Sequence, residues 1–237
     1  TPFVIQPDNS ISYTGDNGVR EVQIANNVMV ATNQPGDEAF TNVNNAIGDF
    51  VPNYITNTSG IHVSKAVIVD PSQYDDIGSP PDYTFTFSLP NDLTVTDANN
   101  IQVYPTTTYT AGQKIAFNGV EVQISGNPLP GDQLTISPEE NISIFDTLKA
   151  ATDWMNQGLT SNPAQRQVDY EDILSQLDNA LNHMTSRQVD AGIRRSLIAQ
   201  QKDHHLDNEL VLSKGKASIE DLDFAKAIST FEQSKVA

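Results

Sequence analysis

Four histidines and thirty carboxylates are the side chains in these 237 residues with the most obvious capacity for chemistry. With no cysteine at all, a thiol nucleophile, a thiolate metal site and a disulfide scaffold are excluded together. The densest grouping is Asp203-His204-His205 with Asp207, whose ligand types would suit a transition metal. Adjacent histidines on a helix point about 100° apart, however, and do not converge on one ion as an i, i+4 pair would. A solvated helix face is the favoured reading. His183 lies beside Leu181 and Met184, and His62 beside Val63, each without a nucleophile nearby in the sequence, so both read as structural histidines.

Paired carboxylates occur at Asp75-Asp76 and Glu139-Glu140 and could in principle flank a glycosidic bond. In an acidic, loop-rich segment they read better as solubilising charges, and Glu139-Glu140 also suits the first turn of a helix. Gly15-Asp16-Asn17-Gly18 offers oxygen ligands but lacks the alternating acids and terminal Glu of a calcium loop, so a plain turn is expected. Asn57-Thr58-Ser59 and Asn141-Ile142-Ser143 match the glycosylation pattern, which arises often by chance. Phosphate-binding glycine loops, nucleophile elbows and H-E-x-x-H pairs are absent from the sequence. The expectation is a protein without catalysis, cofactor or metal.

Charge narrows the partners. Residues 1 to 140 carry 3 basic and 16 acidic side chains, and residues 141 to 237 carry 10 and 14, so the two segments contribute -13 and -4 to the net -17. Such a surface repels phosphate backbones and anionic lipid. Apolar runs such as Ala66-Val67-Ile68-Val69 fall well short of the roughly 20 residues that cross a bilayer. Thr1-Pro2-Phe3-Val4 reads as a strand and not as a leader.

The elements that must position these groups fall into two kinds, predicting an α+β protein with a β-rich outer domain over 1 to 140 and a helical domain over 141 to 237. In the first, Ile115-Ala116-Phe117, Asn118-Gly119 and Val120 to Ile124 predict a hairpin, because Asn-Gly tolerates the positive φ of a two-residue turn. Tyr83, Phe85, Phe87 and Leu89 alternate as a strand. A second hairpin is expected around Gly15 to Gly18, with Val22 and Ile24 on its returning arm, and a helix over Glu38 to Phe50 from the spacing of Phe40, Val43 and Ile47.

From residue 141 the apolar period lengthens. Ile144, Leu148, Ala151 and Met155 line a helix that Gly158 can end, and Asn162-Pro163 supplies an N-cap and a proline at the first position of the next. There Leu174, Leu177, Leu181, Met184, Ile193, Leu197, Leu206 and Leu210 recur at helical steps, with Val189 among them. A helix from about 164 to 212 would be roughly 70 Å long and would need helical partners to be stable in water. Gly215 is expected to break it, and Ser218 with Asp221 to restart it as a capping box variant.

The block Ser218-Ile219-Glu220-Asp221-Leu222-Asp223-Phe224-Ala225 resembles the C-terminal region of bacterial flagellins and their hook-associated relatives. Arg187 to Arg194 is similar to the Arg and small-residue segment of their long C-terminal helix. Tyr13 to Ile24, Gly36 to Phe40, Tyr109 to Ile115, Gly126 to Asp132 and Ile144 to Leu148 resemble the hook-associated protein 3 family of FlgL-type hook-filament junction proteins. The resemblance implies a flagellin-like coiled-coil assembly, an extracellular place at the hook-filament junction after passage through the flagellar export channel, and a structural role in motility. It implies as partners copies of this chain, neighbouring hook-associated protein and flagellin, and an export chaperone for the C-terminal helix. It further implies an N-terminal helical region pairing with the C-terminal helix, expected outside these 237 residues. The competing reading is a secreted β-domain adhesin on a helical stalk, holding a ligand with Tyr83, Phe85, Tyr104 or Tyr109.

Overall fold

A computed structural model describes residues 2–74, 82–88, 91–158 and 162–236. Two expectations, Leu89 at the end of its strand and the Asp75-Asp76 pair, lie outside the described residues. The chain opens with short hairpin strands β1 (Phe3–Ile5), β2 (Ile11–Tyr13), β3 (Glu21–Ala25) and β4 (Val28–Ala31), then α1 (Gly36–Phe40) and β5 (Val43–Asn44). The main strands follow as β6 (Phe50–Thr56), β7 (His62–Ile68), β8 (Tyr83–Ser88), β9 (Asp92–Thr96), β10 (Gln102–Thr108), β11 (Lys114–Phe117), β12 (Val120–Ser125) and β13 (Gln133–Pro138). After the two-residue β14 (Asn141–Ile142) the rest is helical: α2 (Ile144–Asn156) and α3 (Pro163–Val236). This is the expected α+β composition.

Contacts group the chain into two compact units, Thr1–Gly18 with Gln34–Ser186 and Val19–Asn33 with Arg187–Ala237. Residue 140 thus marks a change of secondary structure and not a border between units, since the early hairpin β3-β4 shares a unit with the distal part of α3.

The first unit is built on a five-stranded antiparallel sheet in the order β10-β9-β8-β13-β6 and a three-stranded one, β11-β12-β7. Alternation decides which side chains go inside. Tyr83, Phe85 and Phe87 of β8 are buried while Thr84 and Thr86 between them are not, and Phe85 stands opposite both Val95 and Leu134. These meet Ile115, Val122 and Ile124 in one apolar cluster, with Tyr83 and Phe117 rings 4.8 Å apart edge to face. The Asn118-Gly119 hairpin forms as expected, with φ of 45° and 76°. A Cβ on Gly119 would lie 2.2 Å from the Asp70 carbonyl oxygen, so glycine is required there on space as well as angle.

A smaller aromatic cluster holds the start of the chain to α2. Phe3 contacts Tyr13, Phe40 and Phe145 at ring distances of 5.1 to 5.7 Å. No sequence periodicity links residues so far apart.

Several local expectations are corrected. Gly15 to Gly18 does not turn a hairpin: Asp16 accepts from the Gly18 amide, and the arm bearing Val22 pairs instead with β4 across Asn26-Asn27, where Asn27 has φ 61°. The proposed helix over Glu38 to Phe50 stops at Phe40, where the Thr41 and Asn42 amides both return to the Asp37 carbonyl. Val43-Asn44 then pairs with β14, and Gly48, at φ 131°, packs its backbone against Ala66 too closely for any side chain. Glu139-Glu140 lies between β13 and β14 and not in a first helical turn, which belongs to Ser143, whose Oγ accepts from the Phe145 amide. Finally, α3 passes through Gly215 and Ser218 unbroken. An exposed helical glycine costs only about 1 kcal/mol, too little to end a helix that continues on both sides.

Candidate assembly surface

Helix α3 begins where Asn162 Oδ1 accepts from the Ala164 amide at 3.1 Å and Pro163 takes the first helical position. Side chains at steps of three and four then fix one of its faces within the first unit. Asp172 Oδ1 lies 2.8 Å from His62 Nε2, and Gln176 both donates to Asn45 Oδ1 at 2.7 Å and accepts from the Ala46 amide at 3.1 Å. Asn179 donates to the Asn44 carbonyl, and His183 Nε2 donates to the Glu38 carbonyl at 3.0 Å. Val168 and Ala180 are buried along the same side.

Two of the expected structural histidines therefore have structural work here. The Asp172 hydrogen bond raises the His62 pKa above its ordinary value against the opposing effect of burial. Burial raises Asp172, with the bond from His62 pulling the other way.

Apolar residues fill the opposite side. At about 100° per residue, Leu174, Leu177, Leu181 and Met184 fall within an arc of roughly 80° facing away from Asp172, Gln176 and His183. Leu181 is 65% exposed, Leu174 and Met184 are also exposed, and Leu177 is half-buried. Tyr170 extends the stripe, its ring 5.3 Å from Trp154, and Arg166 caps the same indole at 4.5 Å. On α2, Leu148 and Met155 are exposed as well, while Phe145 and Thr147 face inward.

In the second unit the hairpin β3-β4 is held to the helix by His205 Nε2 donating to the Ile24 carbonyl at 3.0 Å and Arg194 donating to the Asn33 carbonyl at 3.5 Å. His205 is thereby committed to a main-chain contact. Among the described residues no group of three or more His, Cys, Asp or Glu is arranged to hold a metal. Ile193, Leu197, Leu206 and Leu210 are all exposed, and from Lys202 to Phe231 every described side chain is exposed, Ser218 and Asp221 included.

The eight seam residues do not form one line. Met184 to Ile193 is nine positions, about two and a half turns, and so is Leu197 to Leu206. The apolar surface therefore changes sides twice along the helix. Sequence reading passed over Tyr170, Ile198, Leu212 and Ile219, although 170, 177, 184, 198, 212 and 219 fall on one seven-residue repeat. Ala191 and His205, at the two intervening positions, mask that repeat.

The aromatics of the adhesin reading are not on the surface. Tyr83, Phe85 and Tyr109 are core residues at 5% exposure or less, and Tyr104 packs against the core. Asn57 is buried, donating to and accepting from Ile61, so its glycosylation motif is a structural turn.

Solved structures share this architecture. The flagellar junction protein FlgL from Legionella pneumophila superimposes with a TM-score of 0.68 at 26% identity, over 87% of this chain and 67% of that one. Flagellar hook associated protein-3 from Legionella pneumophila gives 0.72 at 28% identity over 93% and 69%. FlgL from Xanthomonas campestris shares the fold, with a TM-score of 0.70 at 24% identity over 92% and 70%. No family model and no curated protein matches the sequence.

Proposed function

We propose, from the premise that this chain is a structural relative of the FlgL-type hook-associated protein 3, that it is a non-enzymatic subunit of the flagellar hook-filament junction. The observation that carries the reading is the single 74-residue helix whose exposed apolar stripes lie on alternate sides. A helix packed on one side would bury one stripe. A helix inside a tubular wall has neighbours on several sides, and each stripe then has a partner.

In the assembled layer the stripes of Leu174 to Met184, Ile193 with Leu197, and Leu206 with Leu210 are covered by helices of neighbouring copies, of the adjoining hook-associated protein and of flagellin. Each Leu or Ile so covered contributes about 1.5 to 3 kcal/mol. The strongly acidic β-region projects outward and keeps the layer soluble. Before assembly the distal helix is sticky, and an export chaperone covers it until the chain has passed through the export channel to the cell exterior. Removing the gene from its source bacterium is expected to leave hooks without filaments; hooks that still carry filaments would overturn the reading.

A further inference from the structure

The inward face of α3 meets the rest of the first unit along one row of contacts, and nearly all of that row is indifferent to pH. Gln176 and Asn179 are neutral amides, bonded to Asn45, the Ala46 amide and the Asn44 carbonyl. His183 donates from Nε2 to the Glu38 carbonyl, which a neutral and a protonated imidazole do alike. Val168 and Ala180 add buried apolar area. The exception is His62 with Asp172, 2.8 Å apart where β7 begins and α3 enters its third turn.

The surroundings of that bond make its charge state matter. The two side chains are only 20% and 21% exposed. On α3, the charge of Glu171 acts on His62, and those of Glu171 and Asp169 act on Asp172. From β6 comes the Tyr54 phenol, whose oxygen accepts from the Val63 amide at 3.0 Å and which burial, followed by the Asp172 charge, keeps neutral by pushing its pKa up. On β12 the residue paired with His62 is the uncharged Ser125. Among the described residues no lysine or arginine offsets this group of acids. One proton therefore decides the balance. With it, an imidazolium is bonded to Asp172 in a charge-assisted contact; without it, a neutral donor faces a half-buried carboxylate that stands close to two others.

We propose that His62 and Asp172 form a proton-operated latch, which fastens the start of α3 to β7 in mildly acidic solution and slackens it in alkaline solution. The hydrogen bond from Asp172 raises His62 above its ordinary 6.5, so the stabilisation is complete below pH 6.5 and is lost as pH rises through the higher folded value. Burial raises Asp172 above 3.8 and acts in the same direction, because the fold favours its neutral form. The two groups take up protons as a pair, and both shifts tighten the contact on acidification. The inference concerns the isolated chain and stands apart from the junction reading.

Hydrogen exchange of the full chain at about pH 6 and about pH 8.5, corrected for intrinsic chemistry, reads the latch at the α3 amides between residues 168 and 178. Their protection is expected to fall several-fold across that range, while the β8 and β12 amides change by less than about twofold. Asp172→Asn and His62→Gln, each checked for an unchanged circular dichroism spectrum, should abolish the fall. In parallel, the His62 Cε1 proton resonance, assigned by its loss in His62→Gln, is expected to titrate above 6.5 in the parent and lower in Asp172→Asn. A parent midpoint at or below 6.5, a parent change in α3 protection of less than about twofold, or a fall that persists in either variant overturns the proposal. If a variant alters the spectrum, the parent midpoint and the parent protection decide alone.

Discussion

Phe85 in β8 and Leu212 in α3 are both apolar side chains in regular structure, yet one is fully buried and the other 74% exposed. The sheets of the first unit bury their apolar faces in one shared core. The distal helix buries almost nothing, so packing within the chain contributes little to its stability. Two regions of one chain thus differ: the first buries its apolar side chains within itself, and the second leaves them exposed.

Truncating each region breaks this contrast if it is wrong. Phe85→Ala is expected to destabilise the β-region by about 4 kcal/mol, whereas Leu212→Ala should stay within about 0.5 kcal/mol in thermal unfolding of the isolated chain. Equal effects would mean that the distal helix is packed in solution.

The next largest effect is expected at Asp132, which is fully buried and accepts from the Thr58 amide and hydroxyl, the Ser59 hydroxyl and the Leu129 amide. Burial alone would raise its pKa, but the Ser59, Leu129 and Thr58 donors together hold it below the usual carboxylate value of 3.8. A depressed folded value means that its contribution is complete above pH 3.8 and is lost as pH falls through the lower folded value. Asp132→Ala should cost about 3 kcal/mol at pH 7 and show a smaller loss of stability on acidification than the parent chain. Urea titrations at pH 7 and pH 3 measure both.

The smallest effect has the opposite sign. Gly215 has open space around it in a continuous helix, so Gly215→Ala should stabilise the helix by about 1 kcal/mol. Slower amide hydrogen exchange around residue 215 would register it, with the exchange of β8 unchanged.

Much of this contrast is legible in the sequence, because it is written in local periodicity. The alternation of Tyr83, Phe85 and Phe87, the Asn118-Gly119 turn and the Asn162-Pro163 start each rest on neighbouring residues alone. What misled was pairing at a distance. Phe40, Val43 and Ile47 mimic a helix face, but β14 claims Val43-Asn44 and the Asn45 side chain bridges Phe50 and Glu139. Val22 could have paired across either of two asparagine-containing turns, and only the assembled hairpin selects Asn26-Asn27. On α3 the apolar residues were visible but their change of side was not, since a nine-residue step preserves the impression of helical spacing while moving the stripe halfway round.

The central claim is that the exposed stripes serve assembly and not the fold of the chain, and Leu177→Asp with Leu181→Asp tests it most directly. Purified, the double variant should keep the β-region's unfolding transition within about 1 kcal/mol of the parent, because Leu181 is 65% exposed and Leu177 half-buried. In cells that rely on this protein for their flagella, electron microscopy should show hooks that have shed their filaments, and the cells should not swim. Attached filaments and normal swimming with the double variant would contradict the account.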